Sequence, residues 1–120
     1  MEERLKVLLI DDDQDVLNIV RYALESYGFE VRTCENAVEA ELAVLAACDD
    51  YIITDHDMPG MDGLELTRRL RRNCPESVII GMSGRDLNRE FLAAGANDFI
   101  RKPFAPYHLA MMLDGGDLPS

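Results

Sequence analysis

Short apolar runs alternate along the chain with stretches whose apolar residues recur at helical spacing. Leu5 to Ile10 is a nearly continuous apolar run of the kind a buried parallel strand requires. Val16, Ile19, Val20, Ala23, Leu24 and Tyr27 then fall on one helical face, and Gly28 stands where a helix stops. Phe29–Cys34 predicts a second strand. Asn36 with Glu39 marks a capped helix start, and that helix runs to about Ala47. Tyr51–Thr54 predicts a third strand, and Met58–Met61 a loop. Asp62 with Glu65 opens a third helix, ended by Pro75, that turns Leu66 and Leu70 inward and a run of arginines outward. Val78–Met82 is a fourth strand. Asp86 can cap a short helix carrying Leu87, Phe91, Leu92 and Ala94, stopped by Gly95. Asp98–Ile100 is a fifth strand. Pro106 suits the first turn of a last helix that reaches about Leu113.

Five strand–helix units in alternation imply a parallel sheet covered on both faces. The chain has 120 residues, the size of one domain. We expect a single domain over 1–120, with a core at about 5–113 and a frayed tail or linker stub at 114–120.

Position then singles out the polar residues. Asp11 and Asp12 follow the first strand, Asp55 the third, Ser83 the fourth and Lys102 the fifth. In an open parallel sheet the carboxyl ends of all strands share one edge, and ligands bind there. Three acids, a hydroxyl and an ammonium therefore converge. Carboxylates about 4 Å apart repel by roughly 4 kcal/mol at an effective dielectric of 20. Such a cluster needs a cation, and all-oxygen ligands select a hard one, Mg²⁺ or Mn²⁺. A carboxylate can act as a nucleophile toward phosphorus, while Lys102 and Ser83 supply charge and a hydrogen bond to phosphoryl oxygens.

The segments that carry this chemistry are Val7–Asp13 (VLLIDDD), Ile53–Leu66 (ITDHDMPGMDGLEL), Gly81–Gly84 (GMSG) and Ala94–Phe104 (AGANDFIRKPF). Over nearly the whole chain they resemble the receiver domain of bacterial response regulators in two-component signalling. The resemblance implies a flavodoxin-like, doubly wound α/β fold with strand order 2-1-3-4-5 and five helices. It implies that Asp55 accepts a phosphoryl group from a sensor histidine kinase or a histidine phosphotransfer domain. It implies Asp12 as direct metal ligand, Asp11 acting mainly through water, and the backbone carbonyl of Asp57 as a further ligand. Ser83 matches the switch hydroxyl, Phe99 the switch aromatic and Lys102 the ammonium, followed by a cis Lys102–Pro103 bond. Such a domain is a phosphoacceptor rather than an enzyme, with slow self-dephosphorylation. Asp57 and Arg85 flank the path of the hydrolytic water in that family, and His56 stands beside them as a loop residue that can tune hydrolysis.

Composition agrees. A net charge of −11 and a pI near 4.4 disfavour direct binding to nucleic acid or to a membrane surface. No apolar run reaches the length of a membrane span, and no secretion signal is evident, so a cytoplasmic protein is expected. The three cysteines, Cys34, Cys48 and Cys74, have no metal-ligand spacing and are expected to be reduced and mostly buried. Asp13 and Asp15 are expected as solvated loop or cap residues, the arginines at 68, 69, 71 and 72 as a solvated helix face, and Met58, Met61, Met82, Met111 and Met112 as packing.

Two other classes fit fragments of the pattern. Asp55-His-Asp57 matches the nucleophile and acid/base pair of a haloacid-dehalogenase-like phosphatase, but the chain is short for that fold and Asp11, Asp12 and Lys102 go unused. A nucleotide-binding flavodoxin-like module needs a phosphate cradle after the first strand, where this chain has Asp-Asp-Asp-Gln. The interval from Ser83 to Lys102 is a few residues shorter than receivers usually have. The fourth helix should be short, and the phosphorylated domain is expected to remain a monomer.

Overall fold

The computed structural model describes residues 4–114. Five strands alternate with five helices: β1 (Lys6–Ile10), α1 (Gln14–Ser26), β2 (Glu30–Cys34), α2 (Ala37–Ala46), β3 (Tyr51–Asp55), α3 (Gly63–Asn73), β4 (Val78–Ser83), α4 (Asn88–Ala94), β5 (Asp98–Arg101) and α5 (Pro106–Asp114). All four strand pairings are parallel, and the order is β2-β1-β3-β4-β5, as expected. Of the expected tail, residues 115–120 lie outside the described residues. No helix among the described residues is long and apolar enough to cross a membrane.

Successive side chains of a strand point to opposite faces, so each central strand feeds two cores. Val7 and Leu9 of β1, Ile53 of β3 and Met82 of β4 pack against Leu17, Val20 and Leu24 of α1 and Leu109 and Leu113 of α5. Leu8, Ile10, Ile52 and Ile79 pack on the other face against Val44 of α2, Leu66 and Leu70 of α3 and Phe91 of α4. Both faces of β1 and β3 are covered, which is why these strands read as unbroken apolar runs.

Local caps follow the sequence at three helices. Asp13 accepts from the amides of Asp15 and Val16, Asn36 from Glu39, and Asp62 from Glu65. The fourth helix departs from expectation. Its N-cap is Leu87, which offers no side-chain acceptor, so Asp86 does not cap it. Leu92, one of the apolar residues of this helix, does not pack inward either. It is 46% exposed, and Phe91 alone of that pair is buried. Seven residues make two turns, and only one side of so short a helix can face the sheet. Met111 is likewise partly exposed rather than packed.

Arg71 is the clearest correction to the arginine face. Its guanidinium donates to the carbonyls of Gly95 (2.9 Å), Cys74 (3.2 Å), Pro75 (3.2 Å) and Ser77 (2.7 Å) and to Asn97 Oδ1 (2.7 Å). A single fork thus ties the end of α3 to the start of β4 and to the turn after α4. Arg68 and Arg69 do lie outward and pair with Glu65.

The cysteines also depart from expectation. Cys48, exposed, and Cys74, buried, form a disulfide with Cα atoms 5.8 Å apart. Only Cys34 is free and buried. The partners are 26 positions apart in sequence and meet because α2 and α3 pack side by side. Residue spacing alone carries no trace of that.

Candidate functional site

The carboxyl edge of the sheet gathers the five residues picked out above. Asp11 follows β1, where its amide donates to Cys34 O (3.1 Å), and it is fully buried. Its Oδ1 accepts from the Asp13 amide (2.9 Å), which turns the chain into α1 and leaves Oδ2 directed at Lys102. Asp12 beside it is exposed. Asp55 ends β3 and is 4% exposed. Lys102 is set by its own amide, which donates to Ser83 O (2.8 Å), and its Nζ stands 3.0 Å from both Asp11 Oδ2 and Asp55 Oδ1. The Lys102–Pro103 peptide is cis. Ser83 ends β4, fully buried, and its Oγ accepts from the Arg85 amide (3.0 Å).

Asp11, Asp12 and Asp55 each offer a carboxylate oxygen, all within 4.8 Å of one another. With Lys102 the formal charge of the group is −2, which a divalent cation would neutralise. The donors are all hard oxygens, and one of the three acids is open to solvent, so Mg²⁺ could keep part of its water shell. Burial first, and then the charge of Asp11, push the Asp55 carboxyl up to about 6, while Lys102 pulls the other way. Burial opposes the charge on Lys102, but its hydrogen bonds to Asp11 and Asp55 outweigh that and hold its pKa above the usual lysine range.

Two glycines make the geometry possible. A Cβ on Gly63 would lie 2.2 Å from the carbonyl oxygen of Asp55, so the first turn of α3 could not rest against the end of β3 with any other residue there. The Gly63 amide donates to His56 O (2.9 Å), closing the loop that follows Asp55. A Cβ on Gly81 would lie 2.3 Å from the ring of Phe91. Neither role was visible in the residue pattern. Asp62 with Glu65 marked a helix start, and only the packed sheet shows what the missing side chain of Gly63 makes room for.

His56 is buried, unlike a plain loop residue. Its Nδ1 lies 2.9 Å from Asp57 Oδ1 and 3.1 Å from Arg85 Nη2, so it can donate to the first or accept from the second, but not both. Arg85 Nη2 is 3.7 Å from Asp57 Oδ1, in an exposed pair. Phe91 meets His56 edge-on at 6.3 Å and stacks on Phe99 at 5.6 Å. Phe99 is half-buried.

The model of the response regulator receiver domain matches residues 7–114. The chain belongs to that family. It is similar to the phosphate regulon transcriptional regulatory protein PhoB of Pseudomonas aeruginosa, with 32% identity over 112 residues covering 89% of this chain and 49% of that protein. It is also similar to the response regulator MprA of Mycobacterium avium, with 35% identity covering 84% of this chain and 46% of that one. The chain therefore spans about half the length of these curated relatives. Among solved structures, the chemotaxis response regulator CheY4 of Vibrio cholerae superposes with a TM-score of 0.88 at 30% identity, covering 94% of this receiver and 98% of CheY4. Receiver domains are signalling domains of two-component systems rather than enzymes of the usual kind. Membership over nearly the whole chain leaves no place for the phosphatase or nucleotide-binding readings.

Proposed function

We propose that this receiver accepts a phosphoryl group on Asp55 from a phosphohistidine of a sensor kinase or phosphotransfer domain, in a Mg²⁺-dependent reaction. The supporting observation is the setting of Asp55. It is a buried carboxylate at a strand end, 3.0 Å from an ammonium and grouped with two further acids. With a pKa near 6 the carboxyl is largely ionised at neutral pH, as a nucleophile must be. An Asp55 oxygen attacks phosphorus in line. The phosphorus–nitrogen bond to the donor imidazole breaks, and an acyl phosphate forms. Lys102 is placed to neutralise one phosphoryl oxygen, and Ser83 to donate to another once its hydroxyl turns from the Arg85 amide. Asp11, Asp12 and Asp55, with the Asp57 carbonyl, would hold Mg²⁺ (or Mn²⁺), which supplies charge neutralisation for the transferring group.

Signalling follows from the same contacts. Phosphorylation draws Ser83 inward, and Phe99 turns from its stack on Phe91 into the space released, shifting a two-state equilibrium. Asp57, Arg85 and His56 close the approach to the acyl phosphate and set its lifetime. The short α4 offers little area for pairing, so the phosphorylated domain stays monomeric and acts on a partner or passes the phosphoryl group on. Sedimentation in the presence of beryllofluoride tests that state, and a tight dimer would refute it.

The central test is incubation with acetyl phosphate and Mg²⁺ followed by intact-mass measurement. One phosphoryl group should add to the wild type and none to Asp55→Ala. Stoichiometric labelling of the variant would overturn the assignment.

A further inference from the structure

The Cys48–Cys74 bridge sits at the amino-terminal edge of the sheet, where β3 begins, and so on the opposite edge from Asp55. The loop that carries Cys48 is held by other contacts as well. The Arg32 guanidinium grips the buried Asp49 carboxylate, and Ser77 Oγ donates to Asp49 O (2.6 Å). The Val78 amide donates to Asp50 O (3.0 Å), and the Lys6 amide to Asp50 Oδ2 (2.8 Å). Cys74 is fixed independently at the end of α3, with its amide on Leu70 O (2.7 Å) and its carbonyl on the Arg71 fork (3.2 Å). These contacts anchor both ends of the bridge independently of the sulfurs, and in the bonded form the Cα atoms lie 5.8 Å apart, within bridging range.

The three sulfurs differ in access. Cys48 is exposed, Cys74 is 1% exposed and Cys34 is 6% exposed under α2. We propose that Cys48 and Cys74 form a reversible thiol–disulfide site, opened by dithiol reductants at the exposed Cys48 sulfur and closed by disulfide oxidants, with Cys34 taking no part. On opening, a reductant thiolate attacks Cys48 Sγ and the S–S bond breaks. Its electron pair goes to Cys74 Sγ, which takes up a proton. The second thiol of the reductant then displaces Cys48, leaving a cyclic disulfide. Two electrons and two protons have passed to the protein. On closing, the Cys48 thiolate attacks glutathione disulfide and releases one glutathione, and Cys74 displaces the second. Burial also pushes the Cys34 thiol up to about 11, which keeps it from competing as a thiolate.

Because the anchoring contacts persist, opening the bridge should loosen the α2–β3 loop without unfolding the domain. A bridge closing a loop of this length raises the melting temperature of a domain of this size by about 10 °C. The test uses the full chain, air-oxidised or treated with glutathione disulfide, and then with dithiothreitol. Peptide mapping should find one disulfide, Cys48–Cys74, and a free Cys34. Dithiothreitol should lower the wild-type melting temperature by about 10 °C and leave that of Cys48→Ser, a change at an exposed position, unmoved. After reduction, iodoacetamide should label Cys48 first. Labelling of Asp55 by acetyl phosphate should be equal in both redox states. Absence of the bridge after oxidation, a bridge to Cys34, or a reductant-induced shift equal in wild type and Cys48→Ser would overturn the proposal. The mapping, melting and alkylation outcomes do not depend on Asp55 being a phosphoacceptor.

Discussion

Replacing Asp55 by asparagine keeps the shape of the side chain and removes its charge, and in the absence of metal it should stabilise the protein. The folded-state pKa of this carboxyl is raised from its ordinary 3.8 to about 6. A group raised in this way contributes stability that is complete below about pH 4 and is lost as pH rises through about 6. At pH 7.5 the ionised form therefore costs the folded state about 3 kcal/mol relative to the protonated form, at 1.36 kcal/mol per pKa unit. That figure already contains the attraction of Lys102, 3.0 Å away, which pulls the pKa down against burial and Asp11. Asp55→Asn should then be more stable than wild type by about 3 kcal/mol at pH 7.5 in EDTA. The advantage should vanish near pH 4, where the carboxyl is protonated in the fold. Urea unfolding at the two pH values measures both differences from the midpoint shift at constant slope. Millimolar Mg²⁺ should narrow the gap at pH 7.5, because it binds the native carboxylate cluster and stabilises wild type by mass action. A variant less stable than wild type at pH 7.5 in EDTA, or a difference of the same size at both pH values, would refute the electrostatic account of the site.

Arg71→Ala should destabilise the domain by about 2–4 kcal/mol, because five acceptors lose their donor, and Arg71→Lys should recover little of it since one ammonium cannot span them; chemical denaturation measures both. Gly81→Ala should cost about 1–3 kcal/mol by driving a methyl group into the Phe91 ring, and Gly81→Ala/Phe91→Leu should recover part of that loss in the same assay. The double variant Asp57→Ala/Arg85→Ala should release phosphate from the acyl phosphate several-fold faster than wild type, followed as loss of the phosphorylated mass, and an unchanged rate would remove the proposed gate.

The order of strands and helices, and the edge on which the candidate site lies, were legible from the chain alone. Apolar periodicity is a local property, and in a parallel sheet the residue after each strand must emerge on one edge. Asp11, Asp12, Asp55, Ser83 and Lys102 were therefore readable before any distance was known. The caps at Asp13, Asn36 and Asp62 were legible for the same reason, since a cap and its amides lie within three residues. Everything that depends on two distant segments meeting was decided by the tertiary structure. Arg71 looks like its solvent-facing neighbours until the turn after α4 arrives beside it. Gly63 looks like a helix-start residue until the Asp55 carbonyl fills the place of its Cβ. Leu92 looks like a core residue until a two-turn helix turns Phe91 and Ala94 inward and leaves Leu92 outside. Cys48 and Cys74 look like unrelated thiols until α2 and α3 pack together. Local periodicity records which face of an element is buried, and it holds no record of which neighbour covers it.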